Sequence, residues 1–195
     1  MGKLLTIGIL TLEESQRQES LQRLLQTLRG QGHAEAVEIL VNKDDGSKPV
    51  GQKRNEILDQ ASGDFICFVD DDDMVTDQYL ARLLGAIRST PTVDCIGFAG
   101  MYHIDGRRIM KFKHANCHGG NFKDAQGVQC RPVNHLNPVR TSLARQIRFP
   151  ERNFAEDADY CDRLHASGLL KNEVVIEDIL YLYLWSPSGT RTQQR

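Results

Sequence analysis

KDDGSKPVGQKRNEILDQASGDFICFVDDDDMV, residues 43 to 75, decides the fold. The segment KDDGSKP is turn chemistry, and Pro49 suits the first turn of a helix because its ring presets a helical φ. Val50, Ile57, Leu58 and Ala61 then form an apolar face, and Gly63 is expected to end the helix. FICFV, 65 to 69, is a continuous apolar run of strand length that leads directly into Asp70, Asp71, Asp72 and Asp73. A strand without polar alternation is one covered on both faces, as in a parallel sheet.

Reading outward, residues 3 to 12 form a first strand of the same kind. Leu21, Leu24, Leu25 and Leu28 recur at helical spacing behind it, with Thr11 and Glu14 expected as a capping box and Gly30 as a left-handed stop. AVEILVN, 36 to 42, is a second strand. After the aspartates, Thr76 is expected to cap a helix whose apolar face is Leu80, Leu83, Leu84 and Ile87. The order β-α-β-α-β-α through residue 90 predicts an α/β fold with an open, mostly parallel sheet and helices on both faces. Ligands of such sheets bind at the carboxyl ends of the strands.

The second half is less periodic. VDCIGFAG reads as a strand, and Asp105-Gly106 suits the type I′ turn of a hairpin. Residues 114 to 139 carry Gly, Asn, His and Pro without period and read as a surface loop over the site. Helices are expected at 141 to 147 and 156 to 167, with Gly168 closing the second, followed by a strand pair at 173 to 177 and 179 to 185. YLYLW, 181 to 185, is read as core strand, with Trp185 at its edge. His114, Cys117, His118, Cys130 and His135 match no standard zinc spacing.

The 195 residues, 40% hydrophobic and 26% charged, form one soluble domain, 1 to 195, able to bury about 70% of its unfolded surface without metal or disulfide staples. A net charge of −2 disfavours tight nucleic-acid binding through phosphate neutralisation. Five dispersed cysteines suit a reducing cytosol, and the apolar start is too short and too quickly acidic for a signal peptide or a span. The expected location is therefore cytoplasmic.

Four consecutive carboxylates at a strand's carboxyl end repel one another unless a cation relieves them, and hard oxygens of this kind suit Mg²⁺ or Mn²⁺. This region resembles family 2 glycosyltransferases of the GT-A fold. The motifs that carry the resemblance are Asp44-Asp45-Gly46-Ser47, Gly51 with Arg54-Asn55, Ala61-Ser62-Gly63-Asp64-Phe65-Ile66, Asp70-Asp71-Asp72-Asp73 and, later, Glu156-Asp157 after Phe154-Ala155. The resemblance spans residues 3 to about 105 well and is weak from 106 to 150.

It implies transfer of a sugar, with inversion, from a nucleoside-diphosphate donor, a UDP-sugar being favoured, to an acceptor hydroxyl. About 1 to 105 would bind the nucleotide sugar, 106 to 185 the acceptor, and 186 to 195 would be a flexible tail. Thr11, Asp44, Asp45, Arg54, Asp70 and Asp71 form the expected donor-binding set, although alternation in an extended segment turns Asp71 away. Asp72, with Asp70, is the expected metal ligand. Asp157 is the expected general base and Glu156 the residue that holds the acceptor hydroxyl. Arg191, with Ser186, Ser188 and Thr190, is expected to close over the diphosphate.

The acceptor would be a glycan, a lipid-linked saccharide met at the cytosolic membrane face, another hydroxyl compound or, least favoured, a modified nucleic-acid base. Arg107, Arg108, Lys111 and Lys113 suit any polyanionic surface. A sugar-1-phosphate nucleotidyltransferase is the alternative enzyme, but LTLEESQRQ lacks the glycine-rich basic loop that it needs. A non-catalytic binding module would have no use for the full acidic set.

Overall fold

The computed structural model describes residues 2 to 185, so the expectations for Arg191 and the tail lie outside the described residues. The chain runs β1 (Leu5–Leu12), α1 (Ser15–Gly30), β2 (Val37–Asp44), α2 (Val50–Gln60), β3 (Phe65–Phe68), β4 (Met74–Val75), α3 (Tyr79–Ser89) and β5 (Cys95–Ile104). It continues through β6 (Arg107–His114), β7 (Phe122–Lys123), β8 (Gln129–Arg131), β9 (Val139–Arg140), α4 (Thr141–Ile147), α5 (Glu156–Ala166) and β10 (Glu173–Trp185). The strand order is β2-β1-β3-β9-β5-β6-β8-β7, with β10 beside β5 and β4.

The expected parallel pairing holds where the apolar runs are continuous: β1 pairs in parallel with both β2 and β3. Side-chain alternation within 65 to 69 explains why those runs show no polar face. Phe65, Cys67 and Val69 pack with α1 and α3 in one core cluster, whereas Ile66 and Phe68 pack with α2, α4 and α5 in the other. Leu24, Leu28, Leu83 and Leu84 are fully buried on the first face, and Leu58 and Leu164 on the second.

Several expectations change. Thr11 is no cap: β1 continues through Leu12 and Glu14 stands at the N-cap of α1, without a side-chain capping bond. The chain reverses at Gly32, φ +76°, two residues beyond Gly30. Thr76 does not cap α3 either. That role falls to Gln31, whose Oε1 accepts the Leu80 N–H at 2.8 Å while its Nε2 donates to the Thr76 carbonyl at 3.1 Å. A cap supplied from another helix leaves no local sequence signal. Asp105 and Gly106 do carry the two positive φ values of the hairpin turn, 47° and 75°.

The supposed surface loop is the largest correction. Residues 132 to 139 are all buried, and β9 pairs antiparallel with β3 and β5. Asn134 and Asn137 close its turn and tie it to Ile96 O, and buried polar residues of this kind give no apolar periodicity by which to find it. Residues 173 to 185 form one bulged strand, parallel to β5 over most of its length, and not a pair. No helix among the described residues is long and apolar enough to cross a membrane.

Candidate active site

The carboxyl ends of β1 and β3 and the start of α5 open onto one cavity of about 850 Å³. Thr11, Arg17, Arg54 and the four aspartates line one side, and His114, His135, Phe154, Glu156, Asp157 and Tyr183 the other. Helix α2 joins the two sides. Gly51 N–H donates to Arg152 O at 3.1 Å, and Asn55 exchanges two 2.9 Å bonds with the backbone of Phe149. The segment 149 to 153 that leads into Glu156-Asp157 is thereby clamped to the helix that carries Arg54. Ala155, at the N-cap of α5, adopts a left-handed φ of 55°, a strained conformation that neighbouring structure must hold.

Arg54 is 4% exposed and lies over the Phe68 ring at 5.0 Å. Its Nη2 reaches Asp70 Oδ1 at 3.3 Å and its Nε reaches Glu156 Oε1 at 3.4 Å, while Nη1 has no hydrogen-bond partner. Glu156 is therefore buried as the counter-charge of Arg54. Asp157, in contrast, keeps a third of its side-chain surface open to the cavity.

The four aspartates divide by environment. Asp73 is structural: it accepts the Tyr181 hydroxyl at 2.7 Å and the Leu184 N–H at 2.8 Å, and burial beside Asp70 and Asp72 raises its pKa well above the usual range. Asp71 is buried, and that burial pushes its pKa up to about 6 against the opposing effects of Thr11 and Arg17. It lines the cavity, contrary to the alternation argument, because the chain leaves the extended conformation at Asp70. Burial also raises Asp72, more than Arg17 lowers it. For Asp70 burial opposes ionisation, yet the His135 imidazole and the Arg54 guanidinium hold it well below the usual carboxylate range.

Arg17, unremarked in the sequence, supplies the charge that this loop needs. Its Nη1 stands 2.8 Å from Asp71 Oδ1 and 2.7 Å from Asp72 Oδ2. No three metal-binding side chains converge among the described residues. Mg²⁺ and Mn²⁺ characteristically take one or two carboxylates and complete their shells with phosphate and water. The partly exposed, hard oxygens of Asp70 and Asp72 fit an ion bound in that way.

The remaining donor-side candidates are placed less directly. Asp44 is held by Lys53 Nζ at 2.7 Å and by the Lys48 N–H at 3.0 Å, and Asp45 accepts the Ser47 N–H in an Asx turn. Neither lines the cavity, although Lys48 and Lys53 do. Of the five Cys and His residues weighed as metal ligands, His114 and His135 alone line it.

His114 is 2% exposed. Its Nδ1 lies 3.1 Å from Asn137 Oδ1, and burial together with Arg131 pushes its pKa down to about 3. Because the folded value lies below the ordinary 6.5, the unfolded chain takes up this proton first. Stability contributed by neutral His114 is present above about pH 6.5 and is lost as pH falls toward 3. His114→Asn is expected to lose less melting temperature than the parent between neutral pH and mild acid, and equal slopes would reject this account.

Comparison with known proteins adds the family. The model for Glycosyl transferase family 2 matches residues 48–151, more than half of the chain. The chain belongs to glycosyl transferase family 2. The matched span holds Arg54 and the four aspartates, whereas Asp44-Asp45 and Glu156-Asp157 of this family member lie just outside it. No curated protein matches the chain.

Among solved structures, Staphylococcus aureus TarS 1-349 in complex with UDP-GlcNAc superposes with a TM-score of 0.69 at 17% identity. That match covers 93% of this chain and 58% of TarS 1-349. The complex with UDP gives 0.68 at 18% identity, covering 94% and 61%. This family 2 member therefore has the GT-A fold and spans less than two thirds of the TarS chains it resembles.

Proposed function

We propose that this chain transfers a sugar from a nucleoside-diphosphate donor, with a UDP-sugar favoured, to an acceptor hydroxyl with inversion and with the help of Mg²⁺ or Mn²⁺. The observation that carries this reading is that Asp157 opens onto the same cavity as Asp70, Asp72 and Arg54. Family membership and the TarS complexes with UDP-GlcNAc and UDP support the class of donor.

In this reading 1 to 195 is one domain, with the donor on the β1, α2 and β3 side and the acceptor on the α5 and β10 side. A cation on Asp70 and Asp72 would stabilise charge on the departing diphosphate. Arg54, fixed by Phe68 and Glu156, brings its positive charge beside Asp70 at the same site. Asp157, without a hydrogen bond from any described residue and partly open to the cavity, takes the proton of the attacking hydroxyl. Inversion needs one displacement and hence one base. The acceptor is a hydroxyl of a glycan, of a lipid-linked saccharide or of another small molecule, in the cytoplasm or at the cytosolic face of a membrane.

The test is thermal stabilisation by a panel of nucleotide sugars with and without Mn²⁺. Donor at about 100 times its Kd stabilises the protein by about 2.7 kcal/mol. We expect that gain in Mn²⁺ with a UDP-sugar and its loss in Asp72→Asn. Ligand-free Asp72→Asn should melt no lower than the parent, since the ionised carboxylate is disfavoured where it stands. Stabilisation by no nucleotide sugar, or undiminished stabilisation of Asp72→Asn, would overturn this reading.

A further inference from the structure

Arg17 bridges the two central aspartates of the acidic loop, and the transfer chemistry described above gives it no task. It is the third residue of α1, just beyond the carboxyl end of β1, and its side chain lines the cavity. The loop that it meets is tied at both ends. Asp73 N–H donates to Asp70 O at 3.1 Å, Asp70 N–H donates to the Tyr181 hydroxyl at 3.3 Å, and the Asp73 carboxylate in turn accepts from that hydroxyl and from the Leu184 N–H. Asp71 and Asp72 therefore stand at the tip of a closed turn, and any rearrangement around them falls to their partner.

That partner spans both carboxylates with one nitrogen: Nη1 lies 2.8 Å from Asp71 Oδ1 and 2.7 Å from Asp72 Oδ2. A divalent cation on Asp72 would meet this guanidinium at the same carboxylate, where like charges oppose each other. The second guanidinium of the site is not free to give way, since Arg54 is 4% exposed, lies over Phe68 and is held by Asp70 and Glu156. Arg17 is less enclosed, with 15% of its side chain exposed, and its guanidinium ends a long flexible stem. An incoming diphosphate offers it an alternative to the carboxylates, because a planar guanidinium can bind phosphate oxygens through two N–H groups at once.

We infer that Arg17 is a donor-binding residue stored on a metal ligand: without donor it occupies Asp72 and opposes the divalent cation, and with donor it leaves Asp72 for the diphosphate, so that cation and donor enter together. The inference rests on the proposed roles of Asp72 and of a nucleoside-diphosphate donor. It requires effects of opposite sign from one substitution. A purely structural Arg17 would not give them, because a loosened loop weakens both ligands.

The experiment measures Mn²⁺ binding to the full chain without nucleotide, from the electron paramagnetic resonance signal of the free ion, and then UDP binding by calorimetry at saturating Mn²⁺. Arg17→Gln and Arg17→Met, one polar and one apolar uncharged replacement, should each bind Mn²⁺ about tenfold more tightly than the parent, the gain expected if Arg17 rests on Asp72 about nine-tenths of the time. Both should bind UDP about tenfold more weakly, the loss of one charge-assisted contact. Arg17→Lys, which keeps the charge, should bind Mn²⁺ as the parent does. The gain should vanish when Asp72→Asn is added to Arg17→Gln. Mn²⁺ affinity that is unchanged or lower in the uncharged variants, UDP affinity that matches the parent, or a gain that survives Asp72→Asn overturns the inference. If the parent is stabilised by a UDP-sugar in Mn²⁺ and the Arg17 variants bind both ligands as it does, this inference fails and the proposed function stands. If the uncharged variants gain Mn²⁺ affinity and no UDP-sugar stabilises the parent, the donor and the role of Arg17 toward it are overturned, and only the competition at Asp72 remains.

Discussion

Asp157→Asn is expected to lower the transfer rate by about 10²- to 10⁴-fold while donor affinity stays close to that of the parent. The amide keeps the shape and hydrogen-bonding capacity of the carboxylate and removes only the proton acceptor. The neighbouring Glu156 faces differently: its Oε1 meets Arg54 Nε at 3.4 Å and its side chain is buried. Glu156→Gln therefore weakens the setting of Arg54, and we expect a smaller loss, expressed in donor affinity as well as in rate. This expectation differs from the role read for Glu156 from its sequence, that of holding the acceptor hydroxyl, because its carboxylate is buried against Arg54. The measurement is transfer rate beside donor affinity for both variants. Near-normal turnover of Asp157→Asn would move the base elsewhere.

Gly51→Ala is expected to destabilise the fold by about 3 kcal/mol, whereas Gly85→Ala should stabilise it by about 0.5–1 kcal/mol. Both glycines lie in helices, so helix propensity alone predicts the same sign for the two. At Gly85 an added Cβ meets nothing within 4 Å, and the substitution only removes backbone freedom from the unfolded chain. At Gly51 the Cβ would lie 1.8 Å from Pro150 O, a contact that no rotamer change relieves. The segment 149 to 153 must retreat, breaking the Gly51–Arg152 bond and straining the paired bonds between Asn55 and Phe149. Chemical denaturation of both variants checks the signs. Equal effects at the two positions would show that the clamp is not rigid.

Those two residues also show how a motif read along the chain differs from the same motif in space. Gly51, Arg54 and Asn55 are recognisable by their spacing on one helix, and Pro49 and the apolar Ile57 and Leu58 make that helix legible without any structure. The task of Gly51 and Asn55 is to hold a segment almost 100 residues further on, and no local pattern encodes a partner at that distance. Capping of α3 by Gln31, the Arg17 bridge to Asp71 and Asp72, and the tie of Asn137 to Ile96 O were hidden for the same reason. Each is a polar contact between residues remote in sequence, and polar residues carry no periodic signal of burial.

The amino-acid sequence by itself determined the alternating elements through residue 90, the parallel character of their sheet, and the strand end at which the aspartates collect, because hydrophobic periodicity and turn chemistry act locally. Only the tertiary structure decided which carboxylates are spent on structure and which face the cavity. Burial, which raises Asp71 and Asp73, and the opposite charges of Arg17 and Arg54 come from elements separated along the chain, so four identical side chains acquire different chemistry only once the sheet and its helices have closed around them.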